Sequence, residues 1–233
     1  MAELLTLPFW VAVVEIIAVN ILLSGDNAVV IALACRNLSP KQRRVGIFWG
    51  VLGAIVLRIV LTFFAMGLLV YPWIRLIGGV LLVWIGVKLI AQEDESEHKV
   101  KASDRMPTAV WTIIVADLVM SLDNVVAVAA AAKGSLELLI FGLVISIPIV
   151  VIGSQIIMAL IGRFPVLVFA GGGLLGYIAG EMIIEEPVLK PWLRENAAGL
   201  ADLTPPVLFG LVVIAGVWLV RRRRKAQEHE HRA

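Results

Sequence analysis

Long runs of apolar residues, each closed by a short polar stretch, make up most of this 233-residue chain. The runs fall at about 8–34, 45–70, 72–91, 107–132, 136–162, 165–184 and 203–220. A helix of about 20 apolar residues crosses a bilayer, so the pattern predicts seven transmembrane helices. The first, second and fifth runs are long enough to tilt or break. The last is short, and Pro205-Pro206 marks its expected start. The first run has no basic residues before it and is too long for a signal peptide, so it reads as a retained helix. One polar linker, 92–106, separates two groups of three spans, 8–91 and 107–184. A seventh helix over 203–220 and a basic tail over 221–233 complete a single membrane domain, 1–233.

The two groups repeat each other. Residues 15–34 overlay 112–131 at an offset of 97, pairing Asn20 with Asp117, Ser24 with Ser121, Asp26 with Asp123 and Asn27 with Asn124. The second spans align at an offset of 92, with Gly50 on Gly142 and Thr62 on Ser154. The third spans align at 93, with Pro72 on Pro165 and Gly78-Gly79 on Gly171-Gly172. Three spans is an odd number, so the halves insert in opposite directions. The expected architecture is all-α: two inverted three-helix repeats plus a C-terminal helix. Inverted repeats are a recurring plan of secondary transporters, with the substrate site near the midplane at the repeat interface.

Composition agrees with the pattern. The chain is 60% hydrophobic and 16% charged, against about a quarter charged in soluble domains. One cysteine, Cys35, excludes an internal disulfide. Basic residues decide orientation. With the N-terminus outside, fifteen of the 20 fall on cytoplasmic segments and four outside, and Arg58 lies within a span. The tail "RRRRKAQEHEHRA" is then cytoplasmic and suits the anionic inner membrane surface better than nucleic acid. The expected location is a membrane crossed several times, with the N-terminus outside and the C-terminus cytoplasmic.

Candidate chemistry lies inside the apolar runs. "SGDN" at 24–27 and "SLDN" at 121–124 place carboxylates at mid-span, where an Asp costs about 2.5–3.5 kcal/mol on insertion scales. Packing alone would be served by Leu, so function is the default reading. Asp117, Ser121 and Asn124 share one helix face at spacing i, i+4, i+7, and Asn20, Ser24 and Asn27 form the matching face. Asp26 and Asp123 border those faces, and Gly25 offers the first helix a place to unwind. The oxygen donors suit Mg²⁺, Ca²⁺ or Mn²⁺. Met120 reads as a core residue before it reads as a thioether ligand. Arg58, opposite Val150 in the repeat, pairs with a buried Asp or snorkels to an interface. With Asp26, Asp117 and Asp123 ionised, the core carries −2, which suits one divalent cation. A protonated Asp would change that balance, so a proton is an available counter-ion. Glu15, 11 residues or about three turns before Asp26, guides cations at an outer mouth or sits hydrated at the interface. Glu181, Glu185 and Glu186 read as a solvated outer loop.

The paired segments "SGDNAVVIALACRNL" and "SLDNVVAVAAAAKG", each opening a three-helix half, resemble the TerC family of bacterial integral membrane proteins. The resemblance runs from about residue 8 to 220. It implies a secondary transporter exporting Mn²⁺, and it carries an association with tellurium resistance. The family often has an acidic residue six before the motif Asp; here Asp117 fills that place in the second half and Asn20 stands in the first.

The expected metal residues are therefore Asp26, Asn27, Asp117, Asp123 and Asn124, supported by Asn20, Ser24, Ser121, Arg58 and Glu15. Mn²⁺ is the expected cargo, with Ca²⁺ and Mg²⁺ in the same donor class, and no organic cofactor is expected. Expected partners are the bilayer, the cation, a proton and further copies of the chain, but not nucleic acid. No H-E-x-x-H or G-x-S-x-G motif points to an enzyme. The alternative is a membrane scaffold that binds metal without moving it, serving metalation of secreted proteins or a stress complex.

Overall fold

The computed structural model describes residues 10, 11, 14, 25–68, 72–91, 102–131 and 136–230. Among them are eight helices and no strand: α1 Gly25–Cys35, α2 Pro40–Leu68, α3 Ile74–Ala91, α4 Ala102–Ala131, α5 Leu136–Arg163, α6 Val166–Ile184, α7 Lys190–Asn196 and α8 Ala198–Glu230. Six of these (α2 to α6 and α8) are long and apolar enough to cross a membrane, and α1 is a shorter apolar helix. Most of the first expected span, including Glu15, Asn20 and Ser24, lies outside the described residues.

α1 forms the centre. From Val30 to Cys35 every side chain is buried, as expected of a helix that is apolar on all sides. The α1–α2 connection ends in a reciprocal cap. Ser39 Oγ accepts the Gln42 N–H and Gln42 Oε1 accepts the Ser39 N–H, each at 3.4 Å, with Pro40 opening the helix. α4 contributes the second inner face through Ile113, Ala116, Val119, Met120 and Leu122. By contrast α5 and α8 are peripheral. Their outward faces carry exposed Ile152, Ile156, Leu211, Ile214 and Trp218, an apolar surface that lipid covers. Two tryptophans near basic helix ends hold cations over their rings: Lys88 lies 4.9 Å from Trp84 and Arg222 lies 5.2 Å from Trp218. Such pairs suit a membrane–water boundary.

Small residues fix the helix crossings. A Cβ on Gly79 would lie 2.9 Å from the Ala179 carbonyl, and one on Gly86 would lie 2.9 Å from the Gly172 carbonyl. The backbones of α3 and α6 thus touch directly, and because partner numbers fall as the others rise, the helices are antiparallel. α6 meets α8 the same way, with Gly180 on Pro205 and Gly176 on Leu208. α2 runs parallel to α4, with Gly46 near Met106 and Gly50 on Ile113.

Two expectations are corrected, for the Pro205-Pro206 pair and for Glu186. Pro205 and Pro206 lie inside α8, not at its start; the helix begins at Ala198, and Gly180, lacking a Cβ, leaves room for Pro205. The basic tail continues α8 to Glu230, because Arg, Lys, Ala, Gln and Glu are strong helix formers. Glu186 is not solvated: it is 0% exposed. Its Oε1 accepts the Trp73 N–H at 3.0 Å and its Oε2 the Arg75 N–H at 3.2 Å. The carboxylate thereby caps the start of α3, where unpaired N–H groups and the helix dipole favour a negative charge. Trp73 reaches that cap with φ at 72°, the left-handed region that L residues rarely adopt. The short helix α7, opened by Pro191 in its first turn, was not expected from the apolar pattern; none of its residues is buried.

Candidate functional site

Four polar side chains from three helices meet inside the bundle. α4 supplies Asp117 and Ser121, one turn apart on its inner face. The Ser121 hydroxyl donates to Asp117 Oδ2 at 3.2 Å. α2, parallel to α4, supplies Arg58. Its Nη2 donates to Asp117 Oδ1 at 2.5 Å and its Nε to Ser121 Oγ at 2.9 Å. α1 supplies Asn27, whose Nδ2 donates to the same Asp117 Oδ1 at 2.9 Å. All four are buried, with Arg58 at 4% and Asp117 at 7% exposure. A buried carboxylate here keeps a guanidinium, an amide and a hydroxyl as partners, which is what a charge in a low-dielectric interior requires. Of the two fates open to Arg58, the structure shows the pairing with a buried Asp.

The arrangement leaves one acceptor over. Asn27 Oδ1 is buried and has no hydrogen-bond donor. Turning the amide round would place that oxygen against the Asp117 carboxylate, so the hydrogen bonds fix the orientation. Asn27, Arg58 and Asp117 border a cavity of about 30 Å³ whose other walls are aliphatic, among them Val150 of α5. That space holds about one or two waters, or a cation with part of its shell. Arg58 and Val150, which the repeat alignment expected from the sequence would pair, both border this cavity.

Asp26 stands beside the cluster. It lies in the first turn of α1, half-buried, and its Oδ1 accepts the Asn27 N–H at 2.8 Å. A carboxylate answers free N–H groups at a helix start in this way. Asp26 is not among the residues lining the cavity. Met120 packs in the apolar core. The side chains of Asp123 and Asn124, and all of Glu15, Asn20 and Ser24, lie outside the described residues. Among the described residues no three His, Cys, Asp or Glu side chains come together. The donor set of the cluster is instead one carboxylate, one amide oxygen and one hydroxyl. Two other buried hydroxyls, Thr112 and Ser154, are satisfied within their own helices by the Thr108 and Val151 carbonyls.

The pattern that defines the integral membrane protein TerC family matches residues 5–227. The chain belongs to the TerC family. It is similar to the membrane protein YjbE of Bacillus subtilis, at 37% identity over 210 residues, covering 90% of this chain and 95% of that one. YceF of the same organism is 28% identical, over 77% of this chain and 74% of its own length. The inner membrane protein YgdQ of Escherichia coli K12 is 24% identical, over 76% and 81% respectively. No solved structure matches the chain. TerC membership makes the protein an integral, multi-pass membrane protein with bacterial relatives. In this TerC chain Arg58 and Asp117 sit on helices long and apolar enough to cross a membrane, and Asn27 on a shorter apolar helix packed against them.

Proposed function

We propose that the protein is a secondary transporter that exports a divalent cation, Mn²⁺, across the bacterial cytoplasmic membrane. The observation that carries this reading is the buried cluster of Asn27, Arg58, Asp117 and Ser121, with an acceptor left over beside a small cavity. Ionisable groups at membrane depth are expensive and mark ion pathways by default. Hard oxygen donors favour Mg²⁺, Ca²⁺ and Mn²⁺ over thiophilic metals. Within that class Mn²⁺ is what the family resemblance implies.

The halves are read as inverted repeats. Support comes from the α3–α6 crossing, where Gly79 meets Ala179 and Gly86 meets Gly172. In the repeat alignment Gly79 corresponds to Gly172 and Gly86 to Ala179, so each contact is the image of the other. The antiparallel run of the two helices agrees with opposite insertion. The site lies where the halves meet: α1 and α2 come from the first, α4 and α5 from the second. Rocking of one half against the other would open the cavity to either side in turn. The residues assigned to the cation are Asp117, Asn27 and Ser121, joined by Asp26, Asp123 and Asn124. Seven spans, an outer N-terminus and a cytoplasmic C-terminus complete the reading, and a proton is the counter-ion considered.

Cellular metal content tests it. Cells overproducing the protein should hold less Mn²⁺ and survive more of it than cells without it, and Asp26→Ala or Asp117→Asn should remove the difference. Unchanged Mn²⁺ content and tolerance with the wild-type protein, present in the membrane at normal levels, would sink the proposal.

A further inference from the structure

We infer that Arg58 is a tethered counter-cation of the metal site. Its guanidinium occupies the Asp117 carboxylate when no metal is bound, and the arriving divalent cation takes the carboxylate from it. This rests on the cation site proposed above and assigns Arg58 a task within it.

Three observations converge. First, an apolar residue can occupy an equivalent place. Val150, which the expected repeat alignment would pair with Arg58, borders the same cavity. A guanidinium at membrane depth is costly, so packing does not account for it. Second, the guanidinium fork covers the oxygens a cation needs. Nη2 lies on Asp117 Oδ1 and Nε on Ser121 Oγ. The remaining donor, Asn27 Oδ1, is buried without a hydrogen-bond partner, on a residue that borders the cavity. It is thus an acceptor that the guanidinium leaves unused. Third, Asn27 Nδ2 is tied to the same Asp117 Oδ1, so a cation held by both residues would meet a preset amide and carboxylate.

The charge balance follows. With Arg58 on Asp117 that pair is neutral, so Asp117 is not left as an unpaired carboxylate in a dry interior when the empty site changes its facing. When a divalent cation binds Asp117, Arg58 moves off the carboxylate but stays on α2, and like-charge repulsion weakens the hold on the metal. Arg58 thereby keeps affinity low enough for release. One cation replaces another on the carboxylate, so no proton transfer is needed for this step.

The experiment measures Mn²⁺ binding to the purified full chain in detergent, read from the loss of the free-ion electron paramagnetic resonance signal. Folding of each variant is checked by its thermal transition. Arg58→Gln is expected to bind Mn²⁺ about tenfold tighter or more, the equivalent of about 1.4 kcal/mol, and to turn over more slowly in vesicles. Arg58→Lys keeps the charge but reaches one partner instead of two, so binding tightens by a few-fold and transport persists. If Arg58→Gln does not fold, the Lys variant decides: tighter binding supports the inference, and equal or weaker binding overturns it. Folded Arg58→Gln protein that binds more weakly than wild type, or equally, also overturns it and leaves Arg58 a structural ion-pair partner, with the cation reading intact. No Mn²⁺ binding by wild type or by any variant overturns both.

Discussion

Removing the Asp117 carboxylate should cost far more alone than together with its partner. In Asp117→Leu the Arg58 guanidinium, at 4% exposure, loses the oxygen 2.5 Å away, and Asn27 Nδ2 loses its acceptor at 2.9 Å. Breaking a buried pair from one side costs about 3–5 kcal/mol, because a charge is stranded. Leaving a buried amide donor unmet costs about 1–3 kcal/mol on its own; the two losses share one oxygen and do not add in full. The single variant should therefore fall near 3–5 kcal/mol, or roughly 6–20 °C in transition temperature for a chain of this length. Arg58→Met combined with Asp117→Leu removes both charges and fills similar volume. The pair should be coupled by at least about 2 kcal/mol in a double-mutant cycle. Thermal unfolding of the four proteins in one mild detergent, followed by tryptophan fluorescence, supplies the cycle. Asp117→Leu losing less than about 1 kcal/mol, the level of an exposed pair, would refute the reasoning. So would a double variant whose loss equals the sum of the singles.

Three further outcomes are expected. A Cβ at Gly180 would sit 2.5 Å from Pro205 Cα, whereas one at Gly210 meets nothing within 4 Å. Gly180→Ala should lose about 1–3 kcal/mol through overpacking, and Gly210→Ala should be neutral or gain up to about 1 kcal/mol; equal transition temperatures would contradict the α6–α8 crossing. Glu186→Gln can accept only one of the Trp73 and Arg75 N–H groups and lacks the charge, so it should lose about 1–2 kcal/mol in the same unfolding assay, and no loss would mean the cap is not stabilising. Buried Cys35 gives little background for labelling: Asn196→Cys should react with an impermeant maleimide on intact cells, and Arg222→Cys only after permeabilisation. Labelling of both from one side would overturn the topology.

Much of this was legible in the sequence because lipid imposes a simple rule. Apolar runs of bilayer length had to be helices, and the long helices from α2 to α6 lie close to the predicted runs. The polar positions were equally visible, since Asp117 and Arg58 are conspicuous against hydrocarbon and each needed a partner. What spacing along one helix could not supply was which residues from different helices share an oxygen. Asn27 and Asp117 are 90 residues apart, and only the meeting of α1 with α4 makes Asn27 a donor to Asp117. Glu186 shows the same limit. In the string "IIEEP" it is indistinguishable from Glu185, yet one caps α3 in full burial and the other faces water beside Lys190. The prolines misled because their usual place is a helix start. In α8 the close approach to Gly180 places Pro205 within the helix.

The central claim is that this chain alone moves a divalent cation through the Asp117 cluster. Its most direct test is Mn²⁺ flux in liposomes reconstituted with the purified protein and nothing else, with Ca²⁺, Mg²⁺ and Zn²⁺ as competitors. The account predicts saturable Mn²⁺ movement, weak competition by Zn²⁺ relative to its thiol-seeking affinity, and loss of flux in Asp117→Asn. Wild-type vesicles no more permeable to Mn²⁺ than empty ones, with the protein folded and inserted, would contradict it and leave a metal-binding scaffold as the better description.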